Sequence, residues 1–204
     1  MTPVSLLKPP IFAAALVPAA ALVYGFYTEN LTANPGDYIT DQTGTWALAF
    51  LTITLGVTPV RRLTGWNEVV RLRRMLGLFA FFYAVLHMLT WVVFIHFFDI
   101  SFMIEDIVKR PFITIGMATF LILFTLALTS NRFALRRLGR RWQRLHRLVY
   151  VAAVGAVVHF WMLVKADITN PRRWAIALGF LLALRVWWAW QKRGRRISFF
   201  AGWR

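Results

Sequence analysis

The side chains in this sequence that are best suited to bind a metal or cofactor are four histidines, His87, His96, His146 and His159. Imidazole nitrogens are common ligands of iron, including the iron of haem. His146 and His159 are 13 residues apart, which on one helix rising about 1.5 Å per residue separates them by roughly 20 Å. They could ligate two haems at different depths, but they could not share one metal ion.

His146 and His159 also admit a purely structural role, in which each histidine hydrogen-bonds a neighbouring helix. His146 lies among arginines at the edge of an apolar stretch, whereas His159 lies deep within that stretch. Because an ionisable side chain is costly inside a membrane, such a residue is by default a candidate for function. A matching ligand elsewhere in the chain would favour the functional interpretation.

The composition places these histidines in a membrane protein. Of the 204 residues, 59% are hydrophobic, and they fall in blocks long enough to cross a bilayer. Lys and Arg number 24 against 8 Asp and Glu, but the basic residues cluster in short loops, so they indicate topology and not nucleic-acid binding. The absence of cysteine excludes disulfides, iron–sulfur clusters and covalently attached haem. No nucleotide-binding glycine motif occurs, which excludes a dinucleotide-binding domain within these residues.

Six apolar segments have membrane-spanning length, and they cover residues 11–27, 45–60, 75–98, 111–129, 148–164 and 174–190. Arginine-rich loops at 61–74 and 130–147, together with basic residues near both ends, lie on one side, which the positive-inside rule makes the cytoplasm. The sequence therefore predicts an all-α integral membrane bundle of six transmembrane helices with both termini cytoplasmic. Residues 1–204 are expected to form a single haem-binding domain, and the sequence alone shows no internal repeat.

Two of the three connections on the outer side have a distinctive composition. Residues 28–44 are predicted to be an acidic outer loop, since turn-forming residues occur at 34–36. Residues 99–110 alternate apolar and polar side chains, which is typical of a short interfacial segment. The acidic side chains of the outer face are not arranged for metal binding or nucleophilic chemistry, and they suit docking of a partner: Glu29, Asp37, Asp41, Asp99, Glu105, Asp106 and Asp167.

The third and fifth spans cross the membrane in the same direction, so their histidines can be compared by depth. His87 lies 12 residues beyond Met75, at the inner end of the third span, and His159 lies 13 residues beyond His146, at the inner rim of the fifth. His87 and His159 therefore share one level. This placement predicts that they are the two axial ligands of a b-type haem between the helices.

His146 marks a second, inner level. A ligand opposite it would lie 13 or 14 residues before His87, where the sequence has Arg74 and Arg73. Arginine is not a usual iron ligand. The inner haem is thus absent, held by His146 alone, or held with an unusual partner, while the arginines could pair with haem propionates.

Two further residues have weaker assignments. His96 follows His87 by nine residues, about 900° of helix rotation, so the two face opposite sides of a regular helix. His96 is therefore predicted to be an interfacial or partner-facing residue and not a ligand. Arg185 lies within the sixth span, where it could extend to the cytoplasmic surface or bind a propionate or an anionic cofactor.

Several segments resemble the haem-binding membrane subunits of bacterial periplasmic methionine sulfoxide reductase systems, which are relatives of ferric reductase and NADPH oxidase transmembrane domains. The resemblance covers nearly the whole chain. It is carried by RRMLGLFAFFYAVLH at 73–87, KRPFITIG at 109–116, LALTS at 126–130, LGRRWQRLHRLVY at 138–150 and HFWMLVK at 159–165. The larger oxidase relatives have two histidines on each of two helices and a cytoplasmic flavin and nicotinamide domain. This chain has one such histidine on its third span.

The resemblance implies one or two b haems, an associated FMN and a place in the bacterial inner membrane. Electrons would come from membrane quinol or from a cytosolic flavin reductase. They would pass to a periplasmic molybdopterin-dependent subunit that reduces methionine sulfoxide, so this chain would transfer electrons and would not itself reduce the sulfoxide. Two alternatives remain, a stand-alone metal reductase or oxidase and a transporter or scaffold that uses its histidines for proton relay.

Overall fold

A computed structural model describes residues 3–164 and 167–201, and the α-helix is the dominant element throughout. Six helical segments in this part of the chain are long and apolar enough to span a membrane, which confirms the predicted all-α bundle. Residues 165 and 166, in the predicted fifth connection, and residues 202–204, at the end of the predicted cytoplasmic tail, lie outside the described residues. The α-helices are α1 (Pro3–Tyr27), α2 (Pro35–Thr64), α3 (Arg73–Thr90), α4 (Ile100–Lys109), α5 (Pro111–Leu128), α6 (Arg132–Leu138), α7 (Arg140–Leu145), α8 (Leu148–Leu163) and α9 (Thr169–Ala201).

Helix α2 begins ten residues earlier than the second span predicted from apolar residues. Asn34 caps it, because its side chain accepts a hydrogen bond from the backbone N–H of Asp37, and Pro35 occupies the first turn. The predicted outer loop at 28–44 is therefore mostly helix. As a result, the first two turns of α2 carry polar residues over the end of the bundle that the sequence predicts to be outer.

The third span is not one regular helix. Helix α3 passes into a π-helical turn, Trp91–Ile95, and Phe97 and Phe98 then adopt positive φ angles of 48° and 63°. These features turn the chain into α4. The predicted interfacial segment at 99–110 forms this helix, and Ile100, Ile104 and Val108 make an exposed apolar stripe along it.

The cytoplasmic loops predicted from their arginines also contain structure. Residues Asn67–Leu72 form a 3-10 helix, and α6 and α7 occupy most of the loop at 130–147. His146 and Arg147 form a turn between α7 and α8, so the fifth span is interrupted at its inner end.

Tyr83 of α3, which is fully buried, holds α1 against the bundle. Its hydroxyl accepts a hydrogen bond from the N–H of Ala19 at 3.2 Å and donates one to the carbonyl of Ala15 at 2.7 Å. The side chain thus enters the hydrogen-bond ladder of α1 next to Pro18, where a helix in a membrane needs such a substitute partner. The most extensive helix contacts are those of α2 with α3 and of α5 with α8, and these two pairs position the candidate site.

Candidate functional site

Two of the four histidines face each other between these helix pairs. The rings of His87 on α3 and His159 on α8 have their centroids 6.2 Å apart, with the ring planes inclined at 77°. A metal held by two imidazoles at about 2 Å from each nitrogen, with each ring centre about 1 Å further away, would separate the ring centres by about 6 Å. The observed separation fits one iron atom bound between the two rings.

Each ring is oriented by a backbone carbonyl of the neighbouring helix. His87 Nδ1 lies 2.8 Å from the Thr40 carbonyl oxygen, and His159 Nδ1 lies 2.6 Å from that of Phe112. Because a carbonyl oxygen can only accept, both Nδ1 atoms carry the proton in these hydrogen bonds. Nε2 is then left with its lone pair, which is the form of imidazole that binds a metal.

Two glycines make room for these rings. A Cβ atom at Gly44 would lie 3.0 Å from the His87 ring, and a Cβ atom at Gly116 would lie 2.7 Å from Nδ1 of His159. Both distances are below ordinary van der Waals contact, so each ring packs directly on the helix backbone. A larger side chain at either position would displace an imidazole from its place.

The two histidines are held in the same way, and the correspondence extends along the sequence. Each histidine follows its carbonyl partner by 47 residues and follows its glycine by 43 residues. The pair α2–α3 is thus matched in register by the pair α5–α8. This repeat of helix pairs is hard to see in the sequence, because the other residues that match at the same spacing are common apolar ones, such as Leu51 with Leu123, Ala80 with Ala152 and Ala84 with Ala156.

A cavity of about 560 Å³ adjoins the two rings. Its volume lies within the range of small-molecule and cofactor pockets, roughly 300–1,000 Å³. Apolar side chains from α2, α3, α5 and α8 form most of its wall, including Leu48, Leu51, Phe120 and Leu123. The cavity, the facing rings and the apolar wall fit a haem ligated by His87 and His159.

A bare metal ion fits less well. No group of three or more His, Cys, Asp or Glu side chains in the described residues is arranged to hold a metal ion. Two imidazoles provide only two ligands, whereas a porphyrin provides the remaining four nitrogens itself. The site is therefore suited to a macrocycle and not to an ion bound by protein alone.

His146 does not border this cavity. Its ring stacks on that of Trp142 with centroids 3.8 Å apart, and its Nε2 lies 3.4 Å from Ser130 Oγ. Its Nδ1 is buried and has no hydrogen-bond partner among the described residues. His146 thus lies apart from the cavity, and its assignment to a second, inner level stays a prediction.

The three candidate arginines have different surroundings. Arg185 donates to the Tyr150 hydroxyl at 2.8 Å and to the Leu55 carbonyl at 2.5 Å. Arg73 donates to Thr58 Oγ1 at 2.6 Å, and its charge lies close enough to that of Arg185 for the two to repel each other. The structure therefore brings Arg73 and Arg185 together near the inner end of α2. Arg74 is exposed.

His96 differs from its prediction in one respect. It does not line the cavity, but it is buried, with its Nε2 3.1 Å from Asp106 Oδ2. The assignment as a partner-facing residue is wrong, because the π-helical turn invalidates the rotation counted along a regular helix. The turn directs His96 toward α4.

Sequence reasoning assigned no individual role to the polar residues at the outer end of the cavity. The charged side chains there are Asp37, Asp41, Asp106 and Arg110. The aspartates had been placed among outer acidic residues suited to docking, and Arg110 had been noted only within a motif. The only available signal was the helix cap at Asn34, which predicts that the polar residues after it belong to a helix and not to a loop.

Comparison with known proteins identifies the family to which this chain belongs. Residues 43–157 match the family described as "Ferric reductase like transmembrane component". A protein from Herminiimonas arsenicoxydans, named "Protein-methionine-sulfoxide reductase heme-binding subunit MsrQ", is 50% identical over 194 residues, which are 94% of this chain and 89% of that relative. Proteins with the same name from Ralstonia nicotianae and Rhodospirillum rubrum are 49% and 48% identical, over 92% and 86% of this chain and 87% and 85% of theirs. No solved structure matches this chain significantly.

The six candidate membrane spans and the match to the family model define a ferric reductase-like transmembrane protein. Within that class the chain belongs to the MsrQ family. It is accordingly a multi-pass protein of the bacterial inner membrane.

Proposed function

We propose that this protein is the haem-binding membrane subunit of a protein-methionine-sulfoxide reductase system, and that it carries electrons across the inner membrane. The observation that carries the proposal is the pair of imidazoles, 6.2 Å apart and each oriented by a carbonyl of the neighbouring helix. The names of the relatives, which describe a heme-binding subunit, support it.

His87 and His159 would hold the haem iron through their Nε2 atoms, which the Nδ1 hydrogen bonds leave free. The haem supplies a reversible one-electron change of the iron. The Thr40 and Phe112 carbonyls keep the proton on each Nδ1 and fix both rings, so the ligands need little rearrangement when the charge of the iron changes. The apolar wall excludes water from the haem pocket, and solvent exposure is one of the factors that set the reduction potential of the iron.

A second haem is proposed at the inner level. His146 is its candidate ligand, and the unpartnered Nδ1 supports this assignment. Arg73, Arg74 and Arg185 are candidates to bind the propionates or another anionic cofactor at this level. The proximity of Arg73 and Arg185, which bond to Thr58 and to the Leu55 carbonyl on the same helix, supports that role, because two neighbouring cations favour a bound anion.

The direction of electron flow follows from the proposed topology, with both termini cytoplasmic. Quinol or a cytosolic flavin reductase would supply electrons at the inner side, and FMN would be an associated cofactor; these three assignments rest on family resemblance. The acceptor is a periplasmic molybdopterin-dependent subunit that reduces methionine sulfoxide and thereby repairs oxidised proteins. This chain, which has no cysteine, supplies the electrons and leaves sulfoxide chemistry to the partner.

The alternative is a stand-alone transmembrane metal reductase, which the description of the matching family favours. The two functions use the same haem and differ in the acceptor. Purified protein is reduced chemically, and its reoxidation is followed by visible absorption. The proposal predicts fast reoxidation when the molybdenum subunit and methionine sulfoxide are both added, and slow reoxidation with either methionine sulfoxide alone or a ferric chelate. Fast reoxidation by the chelate alone would favour the metal reductase.

A further inference from the structure

Arg110 stands at the outer mouth of the cavity, between α4 and α5. It lines the cavity, and its side chain is 54% exposed. Its Nε lies 3.0 Å from Asp106 Oδ1. In the described part of the chain, Asp106 is the one acid paired with this guanidinium, so its terminal nitrogens remain available for another anion.

Asp106 is itself fixed in position. Its side chain is only 8% exposed, and its second oxygen, Oδ2, lies 3.1 Å from Nε2 of His96. The His96 side chain is 3% exposed and packs on the Trp91 ring at a centroid distance of 4.3 Å. Asp106 is therefore held by packing against a buried imidazole, in a close contact that is not aligned as a hydrogen bond, and its other oxygen pairs with the guanidinium of Arg110.

The charges around the cavity single out Arg110. The other acidic or basic side chains along the described cavity wall, apart from the two ligand histidines, are the carboxylates of Asp37, Asp41 and Asp106. Asp37 is engaged with the Asn34 side-chain amide at 2.6 Å. These carboxylates repel an anionic group bound in this cavity. Of the charged side chains along the described wall, only Arg110 attracts it.

We propose that Arg110 binds a haem propionate at the outer mouth of the cavity, with Asp106 and His96 as the residues that position it. The proposal rests on the proposed function, since it needs a haem between His87 and His159. It also fixes the orientation of that haem, whose propionate edge faces the outer surface. A cation at this edge stabilises the reduced, more negative haem and so raises its midpoint potential.

The neighbouring Lys109 provides a matched control. Lys109 carries the same charge but is 70% exposed, pairs with Glu105 at 2.5 Å and does not line the cavity. Both Arg110→Gln and Lys109→Gln remove one positive charge from the same turn. A difference between them therefore reports the position of the charge and not the net charge of the protein.

The experiment measures haem transfer from each purified variant to excess apomyoglobin, and the midpoint potential of the outer haem by spectroelectrochemistry. A lost charge-assisted hydrogen bond corresponds to about tenfold or more in an equilibrium, so Arg110→Gln should release haem about tenfold faster than Lys109→Gln and show a lower midpoint potential. Arg110→Lys, which keeps the charge without the planar fork, should fall between Arg110→Gln and wild type.

A second measurement changes the haem propionates and not the protein, so it does not depend on the stability of a variant. Apoprotein is reconstituted with haem or with haem dimethyl ester, in which the propionate charges are absent. Esterification should accelerate haem loss from wild type and from Lys109→Gln, and it should have little further effect on Arg110→Gln. Equal effects of esterification in all three proteins would overturn the proposal.

The outcomes also separate this proposal from the function on which it rests. Wild-type protein that binds no haem between His87 and His159 would contradict the proposed function. Normal haem binding in wild type, with equal release rates and potentials for Arg110→Gln and Lys109→Gln, would contradict the role of Arg110 only.

Discussion

The substitution Gly116→Ala tests whether close packing of His159 on α5 is required for haem ligation. The added Cβ would lie 2.7 Å from Nδ1 and 2.8 Å from Cε1 of the His159 ring. Ordinary contact begins at 3.4 Å, so the ring or the helix must move by about 0.7 Å. Metal–nitrogen bonds tolerate deviations of only about 0.2 Å. The substitution should therefore weaken or break the bond from His159 to the iron.

The size of the effect can be ranked across four glycines. At Gly44 the corresponding distance to the His87 ring is 3.0 Å, which needs a shift of about 0.4 Å, and at Gly56 and Gly179 a Cβ meets nothing within 4 Å. All four are helical, so alanine favours the helix by about 1 kcal/mol in each. Overpacking opposes this gain by about 1–3 kcal/mol at Gly44 and Gly116 only.

The assay is the reduced-minus-oxidised absorption spectrum of each purified variant, together with its ratio of haem to protein. Low-spin haem should decrease most in Gly116→Ala and less in Gly44→Ala. Gly56→Ala and Gly179→Ala should match wild type and supply the controls. If Gly116→Ala kept the spectrum and haem content of Gly56→Ala, the packing argument for His159 would be refuted.

Three further predictions concern stability, topology and docking. Tyr83→Phe should lower the free energy of unfolding in detergent by about 1–3 kcal/mol, because Ala19 N–H and Ala15 C=O lose a buried hydrogen-bond partner. Thermal unfolding followed by circular dichroism measures this loss. An unchanged Tm would show that the two backbone groups of α1 pair with each other when the hydroxyl is absent. A reporter that works only in the cytoplasm should be active when it is fused after Arg204, and a reporter that works only in the periplasm should be inactive there. The opposite result would reverse the proposed topology and with it the proposed direction of electron flow. Reoxidation by the molybdenum subunit should slow as salt rises, since the outer acidic residues other than the buried Asp106 are expected to steer docking; a rate independent of salt would exclude that role.

The pairing of His87 and His159 could be predicted because it depends on depth alone. Charged loops mark the inner ends of the spans, and the count of residues from those ends places both histidines at one level. The structure confirms their proximity. Their orientation could not be predicted in the same way, because backbone carbonyls accept from both rings, and a carbonyl has no signature in the side-chain sequence.

The outer end of the site shows where periodic counting fails. A π-helical turn and two residues of positive φ redirect the chain after α3. Neither feature is specified by glycine, so the sequence gives no local sign of the turn that buries His96 against Asp106. Similarly, the polar start of α2 resembles a loop until the capping role of Asn34 is recognised.

The central claim is that His87 and His159 ligate one and the same haem, and a double-mutant comparison tests it most directly. Haem content and the low-spin spectrum are measured for His87→Ala, His159→Ala and the double variant, with Lys109→Gln, an exposed residue outside the cavity, as the control. The account predicts that each single variant loses the outer haem, that the double variant loses no more than either single one, and that Lys109→Gln keeps its low-spin haem. Additive losses, in which each histidine accounts for a different haem, would contradict the shared site.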